Sequence, residues 1–254
     1  MTNSRRPIGI FDSGMGGISV LKEATKMLPS ESFIYYGDGA NIPYGTKSVD
    51  VLIQLSDSIC QMLIKTYDVK AIVIACNTAT SAAVSYLRNK YTIPIIGMEP
   101  ALKPAVKAHF GGTVGVLATP VTLREEKFKK LSALYKEQTT VIELPAPNLV
   151  TLVEKGTVDG EEAIKEILVA LDGNEKTLDA LVLGCTHFVF LKEAITLYFN
   201  NAISIYDGNN GTIRNLKTIL EATSQLSQNG VGTVEILNSG GDKLVDLSWK
   251  LFKL

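Results

Sequence analysis

Three cysteines occur in the chain, Cys60, Cys76 and Cys185, and two of them follow short apolar runs. Ala71-Ile72-Val73-Ile74-Ala75 leads into Cys76, and Leu181-Val182-Leu183-Gly184 leads into Cys185. Both runs read as strands, and small polar residues follow each thiol: Asn77-Thr78 in one case, Thr186-His187 in the other. A free thiol ionises near pH 8.5, and a helix N-terminus or a nearby cation makes it a useful base or nucleophile near neutrality. His187 stands two residues beyond Cys185, where it could polarise that thiol or act as a general acid. Cys60 differs, because it falls inside a long amphipathic helical pattern and reads as an ordinary buried residue. Zinc ligation by Cys76, Cys185, His187 and Asp12 finds no support in spacing, since neither a C-x-x-C nor an H-x-x-x-H pair is present.

A second chemical signal is Asp12-Ser13-Gly14-Met15-Gly16-Gly17, which ends an apolar run and opens a helical pattern. Glycines let backbone N–H groups approach a ligand, and a helix N-terminus favours an anion. The plain alternative is a capping turn in which Asp12 or Ser13 is the cap. The segment is not G-x-G-x-x-G, and no G-x-x-x-x-G-K-[ST] occurs, so nucleotide-cofactor motifs are not supported. Pro43-Tyr44-Gly45-Thr46 is a turn signal after the second strand, at the same sheet edge.

These residues need a scaffold, and the pattern supplies an α/β one. Strand-like runs at Ile8–Phe11, Phe33–Tyr36, Ala71–Ala75 and Ile93–Ile96 alternate with helical patterns over about Gly17–Leu28, Ser48–Lys65 and Ser81–Lys90. Such alternation means βαβ units and parallel sheets covered on both faces. The order then recurs: Val114–Leu117, a helix near Thr122–Tyr135, Val141–Leu144, a helix over Glu161–Leu171, Leu181–Leu183 and Ile203–Tyr206. Ile8–Ser13 matches Val114–Thr119, Ala71–Thr78 matches Ala180–His187, and Ile93–Ile96 matches Ile203–Tyr206, always in the same order. We therefore read two similar doubly wound α/β domains with parallel-sheet cores, related by internal duplication, with the active site in the cleft between them. The expected boundaries are 1–97 with 211–254 for the first domain and 98–210 for the second. The tail, with a helix from Thr212 to about Leu226, a strand at Val234–Leu237 and a helix from Asp242, is expected to pack on the first domain. In open parallel sheets ligands bind beyond the carboxyl ends of the strands. Two domains facing each other would bring Cys76 and Cys185 to opposite sides of one cleft.

Composition narrows the function classes. The chain has 254 residues, 25 Lys+Arg against 26 Asp+Glu and a formal net charge of −1. That balance argues against nucleic acid as a partner, which calls for a basic excess or stripe. The 46% hydrophobic and 20% charged fractions suit a globular protein with a real core. No apolar run approaches the roughly 20 residues that span a bilayer. The apolar stretch after Arg5 and Arg6 is too short for a signal peptide, so no membrane partner and a cytoplasmic location are expected. Three cysteines form no disulfide framework, and free thiols are expected.

Together, Asp12-Ser13-Gly14-x-Gly16-Gly17, Pro43-Tyr44-Gly45, Ala75-Cys76-Asn77-Thr78-Ala79 and Gly184-Cys185-Thr186-His187 resemble the glutamate racemase family, within the aspartate/glutamate racemase superfamily. The resemblance runs over nearly the whole chain. It implies inversion of glutamate without cofactor or metal, by two cysteines acting as bases on opposite faces of the substrate α-carbon. It further implies D-glutamate supply for peptidoglycan synthesis, two α/β domains and a homodimer. By the same resemblance, Asp12 assists Cys76 and His187 assists Cys185, with Glu154 on the His187 side. Ser13, Tyr44, Gly45, Asn77, Thr78 and Thr186 hold the substrate, together with Asp12 and His187. The chain departs from the family pattern at Glu125 and Phe128, where Ser and Tyr are usual, at Thr151, where Pro is common, and at Ser239-Gly240-Gly241-Asp242, where Ser-Gly-Asp is usual. Competing readings are an aspartate or other amino-acid racemase of the same superfamily, a catalytically silent amino-acid-binding module, and a thiol-dependent hydrolase. The last two leave the second cysteine unexplained.

Overall fold

The apolar runs of the sequence become parallel strands because runs that are apolar at every position must be covered on both faces. The computed structural model describes residues 3–228 and 230–254. Met1, Thr2 and Asn229, which the sequence reading places in the first domain, lie outside the described residues. The strands are β1 (Ile8–Asp12), β2 (Phe33–Gly37), β3 (Ala71–Ile74), β4 (Ile95–Gly97), β5 (Thr113–Ala118), β6 (Thr140–Pro145), β7 (Ala180–Leu183), β8 (Ser204–Asp207) and β9 (Val234–Asn238). The helices are α1 (Ile18–Met27), α2 (Val49–Tyr67), α3 (Asn77–Lys90), α4 (Leu102–Ala108), α5 (Pro120–Arg124), α6 (Glu126–Ala133), α7 (Pro147–Glu154), α8 (Gly160–Leu171), α9 (Lys192–Tyr198), α10 (Asn209–Ala222) and α11 (Asp242–Lys253).

Two all-parallel sheets result, with strand orders β4-β3-β1-β2-β9 and β6-β5-β7-β8. Numbered within its own half, each sheet has the order second-first-third-fourth, and β9 extends the first sheet beyond β2. The registers repeat as well. Ile8 pairs with Ala71 in β1–β3, and their sequence matches Val114 and Ala180 pair in β5–β7. Ile72 pairs with Ile95, and the corresponding Leu181 pairs with Ile205. A one-residue slip would turn every side chain to the wrong face, so conserved order together with conserved register supports duplication far more than apolar resemblance alone.

The chain divides into two units, one running through Met98 and including Asn209–Leu254, the other comprising Glu99–Gly208. In the first, α2 packs against α3, while α1 packs against α10 and α11. Their cores use the period-2 alternation of strands. In the second unit Val114, Val116, Ala118, Ala180 and Val182 face α4 and the α5–α6 pair, whereas Leu117, Leu181 and Leu183 face α7, α8 and α9.

Local signals set the ends. Ser48 caps α2 by accepting from the Val51 N–H, and α2 stops at Asp68, which adopts a left-handed φ of 50°. The helix read near Thr122–Tyr135 is in fact two, because Thr119 and Pro120 start α5 and Glu125 then turns extended, with ψ 138°, before α6. The helix read from Ser81 begins at Asn77, since Cys76 caps it. Asp12 and Ser13 are not caps of α1: Gly17 occupies that place and no side chain bonds there.

At the sheet end where β2 and β3 begin, Lys70 and Glu31 form a buried ion pair, Nζ to Oε2 2.6 Å. Lys70 also donates to the Ser4 and Gln225 carbonyls, at 2.7 and 2.8 Å, and Glu31 accepts from the Ser227 N–H at 2.7 Å. The pair thus ties the N-terminal segment and the connection after α10 to the first sheet. Burial holds the Lys70 ammonium below the usual lysine range, against the opposing pull of Glu31. Breaking one side of such a pair strands the other charge, so Lys70→Met should cost about 3–5 kcal/mol in chemical denaturation. Unchanged unfolding would refute that role.

Candidate active site

In each sheet the chain moves from its first strand to one side and later returns to the other. The gap between the carboxyl ends of β1 and β3, or of β5 and β7, is therefore a topological switch point. The first switch point gathers Asp12, Ser13 and Cys76. Cys76 is extended at φ −102° and ψ 121°, and its Sγ accepts from the Ala79 N–H at 3.4 Å, capping α3. A sulfur at the positive end of a helix, holding a backbone N–H, is in surroundings that favour negative charge. Its S–H reaches Ser13 Oγ at 3.7 Å, and the Ser13 hydroxyl donates to Asp12 Oδ1 at 2.8 Å. The Gly14 N–H donates to the same oxygen. Asp12 is wholly buried and Cys76 nearly so. Gly17 permits this approach, because a Cβ there would come 2.8 Å from Asp12 Cβ and 2.9 Å from Ala75 Cβ.

Tyr44 lies on a short 3-10 turn with Gly45, and its ring is buried in the cluster that contains Cys76 and Phe11. Its hydroxyl donates to Asp38 Oδ2 at 2.7 Å. Burial first, then the charges of Asp38, Cys76 and Asp12, push the phenol far above its ordinary pKa, so it stays protonated. Asn77 and Thr78, the first residues of α3, are buried beside Cys76.

The second switch point places Cys185 after β7, at the start of a 3-10 run from Thr186 to Leu191. Cys185 Sγ lies 3.7 Å from His187 Nδ1, and His187 Nε2 lies 2.5 Å from Glu154 Oε1 at the end of α7. Thr186 and His187 are buried, and Glu154 nearly so. Burial alone would lower the imidazolium pKa; hydrogen bonds to Cys185 and Glu154, and their charges, outweigh it and raise it well above the ordinary histidine value. The imidazolium therefore persists at neutral pH beside the Cys185 sulfur. Thr119, matched in register to Ser13, caps α5 and shares a hydrogen bond with the Thr122 hydroxyl at 3.0 Å.

The site residues named from sequence thus fall into two groups. Asp12, Ser13, Tyr44, Asn77 and Thr78 lie around Cys76 within the first unit, with Gly45 beside Tyr44 on its turn, and within the second unit Thr186 and His187 adjoin Cys185, with Glu154 bonded to His187. Cys60 sits buried in α2, where burial pushes its thiol up to about 12. His109 is half-buried, with Nε2 3.2 Å from the Tyr206 hydroxyl. Asp38 escaped the sequence reading; its signal is an acidic residue at the carboxyl end of a strand, as at Asp12. Among the described residues, no group of three or more His, Cys, Asp and Glu is placed to hold a metal ion, and no helix is long and apolar enough to cross a membrane.

Residues 17–216 match the Asp/Glu/Hydantoin racemase family. The chain belongs to that family. This racemase is 48% identical over 259 residues to the glutamate racemase of Clostridium botulinum (strain Kyoto / Type A2), with all of both chains covered. A glutamate racemase isoform from Bacillus anthracis superposes with a TM-score of 0.88 at 30% identity, covering 99% of this racemase and 95% of that chain. The glutamate racemase of Francisella tularensis, solved in complex with D-glutamate, superposes at 0.84 with 29% identity, covering 99% and 95%. The racemase is accordingly an isomerase built on two parallel-sheet α/β cores.

Proposed function

We propose that this racemase interconverts L- and D-glutamate by a two-base mechanism in which Cys76 and Cys185 serve opposite faces of the α-carbon. One thiolate takes the α-proton, the electron pair left on carbon delocalises into the adjacent carboxylate, and the other thiol delivers its proton to the far face. The roles swap with the hand of the substrate. The observation that carries the reading is the equivalence of the two thiols: each stands at the same register position of a repeated sheet, and each has its own acid–base partners. Asp12 and Ser13 serve Cys76. The His187 imidazolium, oriented by Glu154, serves Cys185 and stabilises the charge that develops nearby. Tyr44, Gly45, Asn77, Thr78 and Thr186, together with Ser13, present donors at strand and helix ends to the substrate's charged groups. The relatives' names support glutamate as substrate. The same reading includes a cytoplasmic homodimer that supplies D-glutamate for peptidoglycan synthesis.

The test is circular dichroism of L-glutamate with the purified protein and nothing added. Loss of optical activity is expected, with L-aspartate turned over far more slowly. A stable glutamate signal, or faster loss with aspartate, would overturn the assignment.

Asp12→Asn should disturb the two directions unequally, since Asp12 stands beside one thiol. Enantiomers have equal free energies in an achiral solvent, so kcat/KM must stay balanced between directions while kcat and KM shift separately. Equal shifts of kcat in both directions would remove the assignment of one helper to each cysteine.

A further inference from the structure

We propose that Asp38 is a positioning residue that holds the Tyr44 turn against Cys76 and couples that turn to the C-terminal strand β9 through Ser239. The proposal rests on the racemisation reading and adds a support to its Cys76 side.

Asp38 follows β2 directly, and its backbone N–H donates to the Asp12 carbonyl at 2.9 Å, extending the β1–β2 ladder by one residue. It is only 3% exposed, and each of its side-chain contacts is a donor. Tyr44 O–H reaches Oδ2 at 2.7 Å, and Ser239 O–H reaches Oδ1 at 2.8 Å. Asn41 Nδ2 bonds both oxygens, at 3.0 and 3.1 Å. A buried carboxylate filled with donors gives strong, directional bonds, and each donor it orients costs heavily if left unpaired. The residues that supply the donors come from both flanks. Asn41 and Tyr44 belong to the connection before α2. Ser239 follows β9, where Asn238 pairs with Gly37, so the register sets Ser239 opposite Asp38. Ser239 is clamped in turn, accepting from the Ala40 N–H at 3.0 Å and donating its own N–H to the Gly37 carbonyl at 2.9 Å. The tail strand that breaks the symmetry between the two sheets thereby reaches the wall of the Cys76 site.

The experiment uses the full chain with Asp38→Ala, Tyr44→Phe, the double variant and Ser239→Ala. Asp38→Ala should lower kcat/KM for both enantiomers by about tenfold or more. The double variant should be no worse than Asp38→Ala, because residues acting as a unit are not additive. Independent, additive losses would overturn the proposal. Alkylation of Cys76 by iodoacetamide, measured in a Cys60→Ala/Cys185→Ala background, reads the same coupling without turnover. Asp38→Ala should speed it severalfold as the Tyr44 ring loses its anchor, and Ser239→Ala should do so to a smaller degree, which serves if Asp38→Ala does not fold. Unchanged alkylation accompanied only by a lower unfolding temperature would reduce Asp38 to a structural role and overturn the proposal. Failure of the wild-type chain to racemise glutamate would sink the substrate reading, while the alkylation rates would still decide the hold of Asp38 on Tyr44.

Discussion

Cys76→Ser and Cys185→Ser should each reduce racemisation of both enantiomers by roughly 10²–10⁴-fold or more, the range a positioned acid or base contributes. Every turnover in either direction uses both sulfurs, so neither variant should keep a favoured direction. A serine hydroxyl fits where the thiol was but ionises far less readily, so the loss is chemical rather than structural. Cys60→Ala is the control. It removes a thiol that burial holds at about 12 inside α2, with no partner at either switch point, and should leave turnover intact. Full turnover in Cys185→Ser would mean that the second sheet supplies no base and that register equivalence has no catalytic meaning.

The second large effect concerns Glu154. Burial opposes the charge on His187; the hydrogen bond to Cys185, then the hydrogen bond and charge of Glu154, raise its pKa. Glu154→Gln removes that charge and leaves Cys185 as the remaining support, so the His187 pKa should fall. Activity near pH 7–8 should fall by roughly 10–100-fold, and the alkaline limb of the pH–rate profile should move to lower pH. The effect should be recovered in part on acidification, which a mere packing defect would not show. The linkage has a defined sign. A histidine raised in the folded state contributes stability that is fully present below about pH 6.5 and is lost as pH rises through the higher folded value. Wild-type stability should therefore fall across that alkaline interval, and Glu154→Gln should flatten the dependence. An unmoved alkaline limb would separate Glu154 from the chemistry.

Much of this was legible in the residues, for physical reasons that also mark where legibility ends. Most strands are short apolar runs, and the repeat that sets Ile8 against Val114 and Ala71 against Ala180 reappears in the register, where Ile8 pairs with Ala71 and Val114 with Ala180. Cys76 and Cys185 were readable because a strand end is a local feature. The His187–Glu154 contact was not, since it joins α7 to the segment after β7, and only the family resemblance pointed to Glu154. The short helices α4, α7 and α9 carry too few turns for a periodic signal. Asp38 escaped because its importance comes from Tyr44 and Ser239, one six residues away and the other near the far end of the chain.

The most direct measurement is solvent isotope incorporation during racemisation of L-glutamate in D2O at early times. Two thiols on opposite faces remove the substrate proton on one side and deliver a solvent-equilibrated one on the other. D-glutamate formed first should carry deuterium at the α-carbon, while the remaining L-glutamate stays protiated. Protium retained in the D-product, or deuterium accumulating equally in both enantiomers, would show a single base working on both faces and contradict the two-cysteine mechanism.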